Sequence, residues 1–313
     1  MSRIEYIPRN FSAKSLEIIT VADGICREYA EQGLDLTLRQ LYYQFVARGL
    51  LANKQTEYKR LGSLVNDARL AGLMDWDHLV DRLRDVEGWA FSGYDDPREL
   101  IEGLSSRYVV NLWEGQPSRV EAWVEKDALS GVLERASGTN RIPYFACRGY
   151  VSQSALWRAA QRIEGYLDEP GVEQVVVLHL GDHDPSGIDM TRDIQSRVLY
   201  TFLRGDGYDE DRVEIRRIAL NMDQVQTYNP PPNPAKLTDS RVGGYLARYG
   251  GSSWELDALN PTVLVDLVRS HIAAEVDPTL WAERQAKERE GERYLQLVER
   301  RWDDVVAYLG GQS

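Results

Sequence analysis

Apolar positions recur along this chain in two rhythms, and the change of rhythm divides it. Up to about residue 72 they come three and four apart, the spacing of amphipathic helices. The stretch SAKSLEIITVADGICREYAEQG, residues 12–33, opens on a capping Ser12 and stops at Gly33. LTLRQLYYQFVARGLL, residues 36–51, places Thr37 and Gln40 in capping-box spacing and breaks at Gly49. TEYKRLGSLVNDARLAGL, residues 56–73, predicts a third helix starting at Thr56. Beyond residue 118 short apolar runs alternate with helical stretches. Strands are expected at RVEAWVEK, with period-two alternation, at PYFAC, at 174–180 and at 213–219. Helices are expected at Asp127–Arg135, 152–167 and 187–204.

Strands alternating with helices imply an α/β fold with a mainly parallel sheet covered by helices. Three short helices followed by an irregular Trp- and Gly-rich stretch near residues 86–95 resemble a winged-helix unit, whose third helix enters the DNA major groove. Residues 1–105 are therefore read as a winged-helix-like unit and 106–313 as the α/β unit. The join lies within 95–118, where Pro97 and Pro117 stand. Residues 228–235, YNPPPNPA, predict a rigid loop, and the remainder is helical with a charged segment at 280–309.

Composition narrows the class. The 313 residues allow one large domain or two ordinary ones, and 43% hydrophobic with 27% charged residues is a globular balance. No apolar run reaches the roughly 18 residues of a membrane span, and the start MSRIEYIPRNFSAK has no apolar signal region. Cys26 and Cys147 fit no zinc spacing, and the four histidines form no metal pattern, so a reducing cytoplasm is expected. The net charge of −12 argues mildly against a nucleic-acid partner. The charge is uneven, however. Between Arg39 and Arg69 stand six basic residues (Arg39, Arg48, Lys54, Lys59, Arg60, Arg69) against Glu57 and Asp67. That face suits phosphates, or is an ordinary solvated helix face.

The candidate chemistry lies where strands end. In VVVLHLGDHDPSGIDM, residues 175–190, an apolar run stops at Gly181 and is followed by Asp182 and Asp184. Residues two apart in an extended segment point the same way, at the carboxyl edge where open α/β sheets bind ligands. The pair either holds a hard cation such as magnesium, or Asp182 caps the next helix and Asp184 starts a turn with Pro185. Glu125 ends its own strand in the same manner, 57 positions earlier. Three carboxylates without a metal are a costly cluster. With magnesium they make a phosphoryl-transfer site.

VEKDA at 124–128, CRGYVS at 147–152, GDHDPSGIDM at 181–190 and WELDALNP at 254–261 resemble the signature stretches of a Toprim domain. Their wording is similar to the A subunit of topoisomerase VI and the meiotic double-strand-break transesterase. LRQLYYQF at 38–45 is similar to that family's active-site helix. The wording also resembles that of the standalone Mini-A proteins of mobile elements.

The resemblance implies Tyr43 as nucleophile, Tyr42 as its support and Arg39 at the phosphate. It places magnesium on Glu125, Asp182 and Asp184, and it makes the product a break with protein joined to the 5′ phosphate. Double-stranded DNA is the implied partner, with Arg48, Lys54, Lys59, Arg60 and Arg69 on its phosphates. The implied unit is a homodimer whose tyrosine faces the other protomer's metal site, with a separate ATPase B-like subunit for any strand passage. No Gly-x-x-x-x-Gly-Lys-Ser/Thr loop occurs in the chain. Lys126 and Arg148 either contact phosphate or pair with the carboxylates. His183 points away from the aspartates, and Asp189 caps. Lys236, Asp239 and Arg241 have family-like placement without a mechanism. Two other readings stand beside this one: a Toprim nuclease that uses water, and a non-catalytic DNA binder.

Overall fold

Four apolar runs pair into one wholly parallel sheet. β1 (Ser118–Val124), β2 (Tyr144–Ala146), β3 (Gln174–Leu180) and β4 (Val213–Ala219) lie in the order β2-β1-β3-β4. The computed structural model describes residues 5, 7–75, 78–79, 96–101, 103–234 and 242–310. The stretch at 86–95 and the three residues Lys236, Asp239 and Arg241 fall outside them.

The helices are α1 (Ala13–Ala30), α2 (Leu38–Ala47), α3 (Gln55–Leu70), α4 (Pro97–Ile101), α5 (Leu104–Arg107), α6 (Ser130–Asn140), α7 (Gln153–Leu167), α8 (Pro185–Gln195), α9 (Met222–Tyr228), α10 (Val242–Tyr249), α11 (Pro261–Ala274), α12 (Pro278–Arg300) and α13 (Trp302–Gly310). Two short strands, β5 (Asn233–Pro234) and β6 (Ser252–Ser253), pair antiparallel. No helix among the described residues is long and apolar enough to cross a membrane.

The sheet is buried on both faces. Val120, Ala122 and Leu178 join one apolar cluster with Leu133 of α6 and Val268 of α11. Trp123, Val175 and Val177 join a second with Ile163 of α7 and with Val198. The first cluster extends into the N-terminal helices through Ile25, Leu41, Phe45 and Leu61, so it draws side chains from both sides of residue 105. Each fully buried Leu or Phe contributes about 2 kcal/mol.

Several elements differ from expectation. The alternation in RVEAWVEK does not mark a wet face, because all seven residues of β1 are buried. Glu121 accepts from Arg162 at 2.6 and 2.8 Å and from Trp123 Nε1 at 2.8 Å, and Arg119 pairs with Glu169. The third helix starts at Gln55 with Lys54 at its cap position, not at Thr56. The Tyr42 hydroxyl accepts from the Lys54 amide at 2.8 Å and fixes the chain there. The helix expected over 187–204 begins at Pro185, and from Ser196 to Leu203 it is wound more widely, as a π-helix.

Candidate active site

α2 carries the tyrosine pair. Its capping box forms as the spacing predicts, with Thr37 N donating to Gln40 Oε1 at 2.8 Å and Gln40 N to Thr37 Oγ1 at 3.3 Å. Arg39 and Tyr43 stand four residues apart and share a face. Tyr42 is buried, its ring centroid 5.5 Å from Tyr43 and 5.4 Å from Tyr58. Its hydroxyl is held by backbone groups of Ala52 and Lys54. Tyr42 therefore packs and supports.

Tyr43 opens onto a cavity of about 290 Å3, which Arg39, Asn53, Tyr58, Asn233 and Glu255 also line. Asn233 Nδ2 approaches the Tyr43 hydroxyl at 3.4 Å, and Asn53 orients Asn233 through a 2.8 Å bond to its Oδ1. Burial, reinforced by the negative charge of Glu255, pushes the Tyr43 hydroxyl up to about 12.

The carboxylates stand where β1 and β3 end. Glu125 Oε2 accepts the Asp182 amide at 2.9 Å. Asp182 Oδ1 accepts the Leu256 amide at 2.8 Å and faces Lys126 Nζ at 2.9 Å. Asp184 Oδ1 accepts from Gly187 N and Ser186 Oγ, each at 2.7 Å, and so caps α8 with Pro185 in its first turn. It is thus Asp184, not Asp182, that caps the helix. Arg217 lies buried beneath this loop. Its guanidinium donates to the carbonyls of Gly181 (2.9 Å), Asp182 (2.6 Å) and Gly187 (2.9 Å). Burial and the nearby Asp182 charge push Glu125 up to about 7. Burial, opposed by Lys126, leaves Asp182 raised to about 6.

The two halves of the site meet through residues that the sequence did not assign. Arg39 pairs with Glu255 and, through Nε, with Asp257 at 3.2 Å. Lys126 Nζ lies 2.9 Å from Asp182, 3.0 Å from Glu255 and 2.9 Å from Asp257. Although burial would lower it, Lys126 is held well above its ordinary range by Asp257, Asp182 and Glu255. Despite its own burial, Glu255 is held well below the usual carboxylate range by Lys126 and Arg39. All these contacts are made within one chain. Lys126, left open by the sequence, pairs with the carboxylates, and Arg148 pairs with Asp127 at 3.2 Å.

His183 turns from the aspartates into an aromatic nest. Its Nδ1 lies 2.8 Å from the Tyr245 hydroxyl and its ring 4.7 Å from Tyr249. Asp189 does not cap, for it lies within α8, where it pairs with Arg192 and accepts from Tyr150.

The acidic side chains gathered here offer oxygen donors only, the type a hard cation takes. Arg39, Lys126 and Arg217 face five carboxylates (Glu125, Asp182, Asp184, Glu255, Asp257), and Glu125 and Asp182 are raised chiefly by burial. Among the described residues, no three His, Cys, Asp or Glu side chains are grouped so as to hold a metal ion. The ammonium of Lys126 sits among three carboxylates instead.

On the basic face, Lys54, Lys59 and Arg60 are exposed. Arg60 pairs with Glu57 at 3.3 Å and Arg48 with Glu28 at 2.8 Å. Arg69 is half-buried and donates to the Leu79 carbonyl at 2.9 Å. No protein-family model and no curated protein matches the sequence.

Proposed function

We propose that the chain is a DNA-strand transesterase of the topoisomerase VI A type, an N-terminal winged-helix-like unit joined to a Toprim unit. The observation that carries this reading is the junction of Arg39 and Tyr43 with Lys126 and Asp182 through Glu255 and Asp257. The Tyr43 phenol shares a cavity with Arg39 and Glu255, next to the carboxyl edge of a parallel sheet. In the reaction the Tyr43 hydroxyl gives up its proton and its oxygen bonds to a DNA phosphorus. The bond from phosphorus to the 3′ oxygen breaks, and that oxygen takes up a proton. Arg39 stabilises the phosphate charge as it redistributes. Glu125, Asp182 and Asp184 would hold magnesium, which supplies Lewis-acid polarisation of phosphate oxygens. Exposed Lys54, Lys59 and Arg60 supply phosphate contacts, so DNA binding weakens steeply with salt. A double-strand break needs two tyrosines, hence two copies of the chain.

The raised Tyr43 hydroxyl favours a second reading, in which water is the nucleophile and Tyr43 a bystander. Incubation with supercoiled DNA and magnesium separates the two. Breaks that carry protein at the 5′ end, lost in Tyr43→Phe, are expected. Free ends that persist in Tyr43→Phe assign the hydrolytic activity, and intact DNA rejects both.

A further inference from the structure

Arg39 divides its guanidinium between two carboxylates of unequal standing. Its Nε faces Asp257, whose side chain is 0% exposed and is held in turn by Lys126 at 2.9 Å. Its Nη2 holds Glu255, which is 24% exposed and lines the cavity that opens on Tyr43. Lys126 also reaches Glu255, at 3.0 Å, so the two carboxylates differ in position and not in that partner: Asp257 is enclosed, whereas Glu255 faces the cavity. A carboxylate and a phosphodiester both offer a guanidinium two anionic oxygens in a plane-matching fork. The cavity holds about 290 Å3, against the ~30 Å3 share of one liquid water. Three cationic side chains facing five carboxylates also leave a surplus of negative charge. A phosphate enters such a site most easily where one carboxylate moves aside, and the other four are buried.

We propose that Glu255 is a displaceable surrogate for phosphate. Its carboxylate holds the outer nitrogen of Arg39 until a DNA phosphodiester enters the cavity and takes its place, while Asp257 keeps the guanidinium aimed. This deepens the DNA reading above and rests on it. Glu255 is then a positioning residue that sets the free-state cost of DNA binding, and Arg39 is the cation exchanged.

The test is a binding cycle that needs no cleavage. A fluorescein-labelled DNA duplex two helical turns long is titrated with Tyr43→Phe protein at low salt, followed by anisotropy. Into that background go Glu255→Gln, Arg39→Gln, both together, and Asp257→Asn. Glu255→Gln is expected to tighten binding about five-fold, the scale of one partly exposed ion pair. In the presence of Arg39→Gln the gain should vanish, because Lys126, the other cation on Glu255, stays held by Asp182 and Asp257. Asp257→Asn is expected to weaken binding. Tightening that persists without Arg39 is a general charge effect and overturns the proposal, as does an unchanged or weakened Glu255→Gln. Equal tightening by both carboxylate substitutions overturns the division of roles. If no variant binds the duplex at all, the DNA reading fails first and the surrogate role falls with it.

Discussion

Lys126 reaches Asp182, Glu255 and Asp257 at 2.9, 3.0 and 2.9 Å. Replacing it by Met removes one cation from three neighbouring carboxylates. Breaking a buried pair by removing one partner costs about 3–5 kcal/mol, and that loss is expected in urea unfolding at pH 8. At pH 5 the penalty should shrink, because Asp182, raised to about 6 even with Lys126 beside it, then takes up a proton. Glu125 gives a second test at this scale. Its folded pKa, about 7, lies above its ordinary value, so its favourable contribution is complete below about pH 4.5 and is lost as pH rises through 7. Glu125→Gln should therefore flatten the thermal midpoint between pH 5 and pH 8 in metal-free buffer. Magnesium should raise the wild-type midpoint more at pH 8 than at pH 6, where protons compete, and should leave Glu125→Gln unmoved. A magnesium shift independent of both pH and Glu125 would remove the metal from these carboxylates. Single residues were unevenly legible in the sequence. Glu125, Asp182 and Asp184 could be picked out because each follows a strand. Glu255 could not, since its pairing with Arg39 spans 216 positions and exists only once the chain has folded. Arg217 carries no motif in the sequence, yet it staples the loop beneath the site.

Among the elements, α8 is the one whose start belongs to the site. Asp184 caps it and Gly187 packs closely, for a Cβ on Gly187 would lie 2.2 Å from the Asp182 carbonyl. Asp184→Ala is expected to cost about 1 kcal/mol for the lost cap. Asp184→Asn, also a good cap, should keep the stability and lose only the magnesium response. Gly187→Ala should be the most damaging of the three, because backbone has to move. Equal losses from the Ala and Asn variants in chemical denaturation would deny the cap its role. Helix starts such as Ser12 and Thr37 were legible because capping is local chemistry. The start of α3 was not, because a tyrosine from α2 sets it. The polar positions of β1 are buried for a related reason: alternation shows which residues are polar, and Arg162 and Trp123 satisfy the buried Glu121 while Glu169 pairs with Arg119.

For the whole molecule, the path of the intrachain contacts matters most. The family resemblance implies that each tyrosine serves the opposite protomer; Arg39 also pairs with Glu255 and Asp257 of its own chain, so sites within one chain are the alternative. Mixing Tyr43→Phe protein with Glu125→Ala protein tests this. Sites within one chain predict no cleavage by the heterodimer, and exchanged sites predict nicks. The apolar cluster that joins Ile25, Leu41 and Phe45 to Val120, Leu178 and Val268 also predicts one cooperative thermal transition, with near-ultraviolet and far-ultraviolet signals coincident. Two separated transitions would mean that the helices and the sheet melt independently. The same shared core has a meaning for inheritance. A recombination that joined a foreign first hundred residues to this sheet would deliver Arg39 and Tyr43 but leave the facing apolar surfaces mismatched. Chains of this fold should therefore exchange Arg39 and Tyr43 together with the carboxylates or not at all.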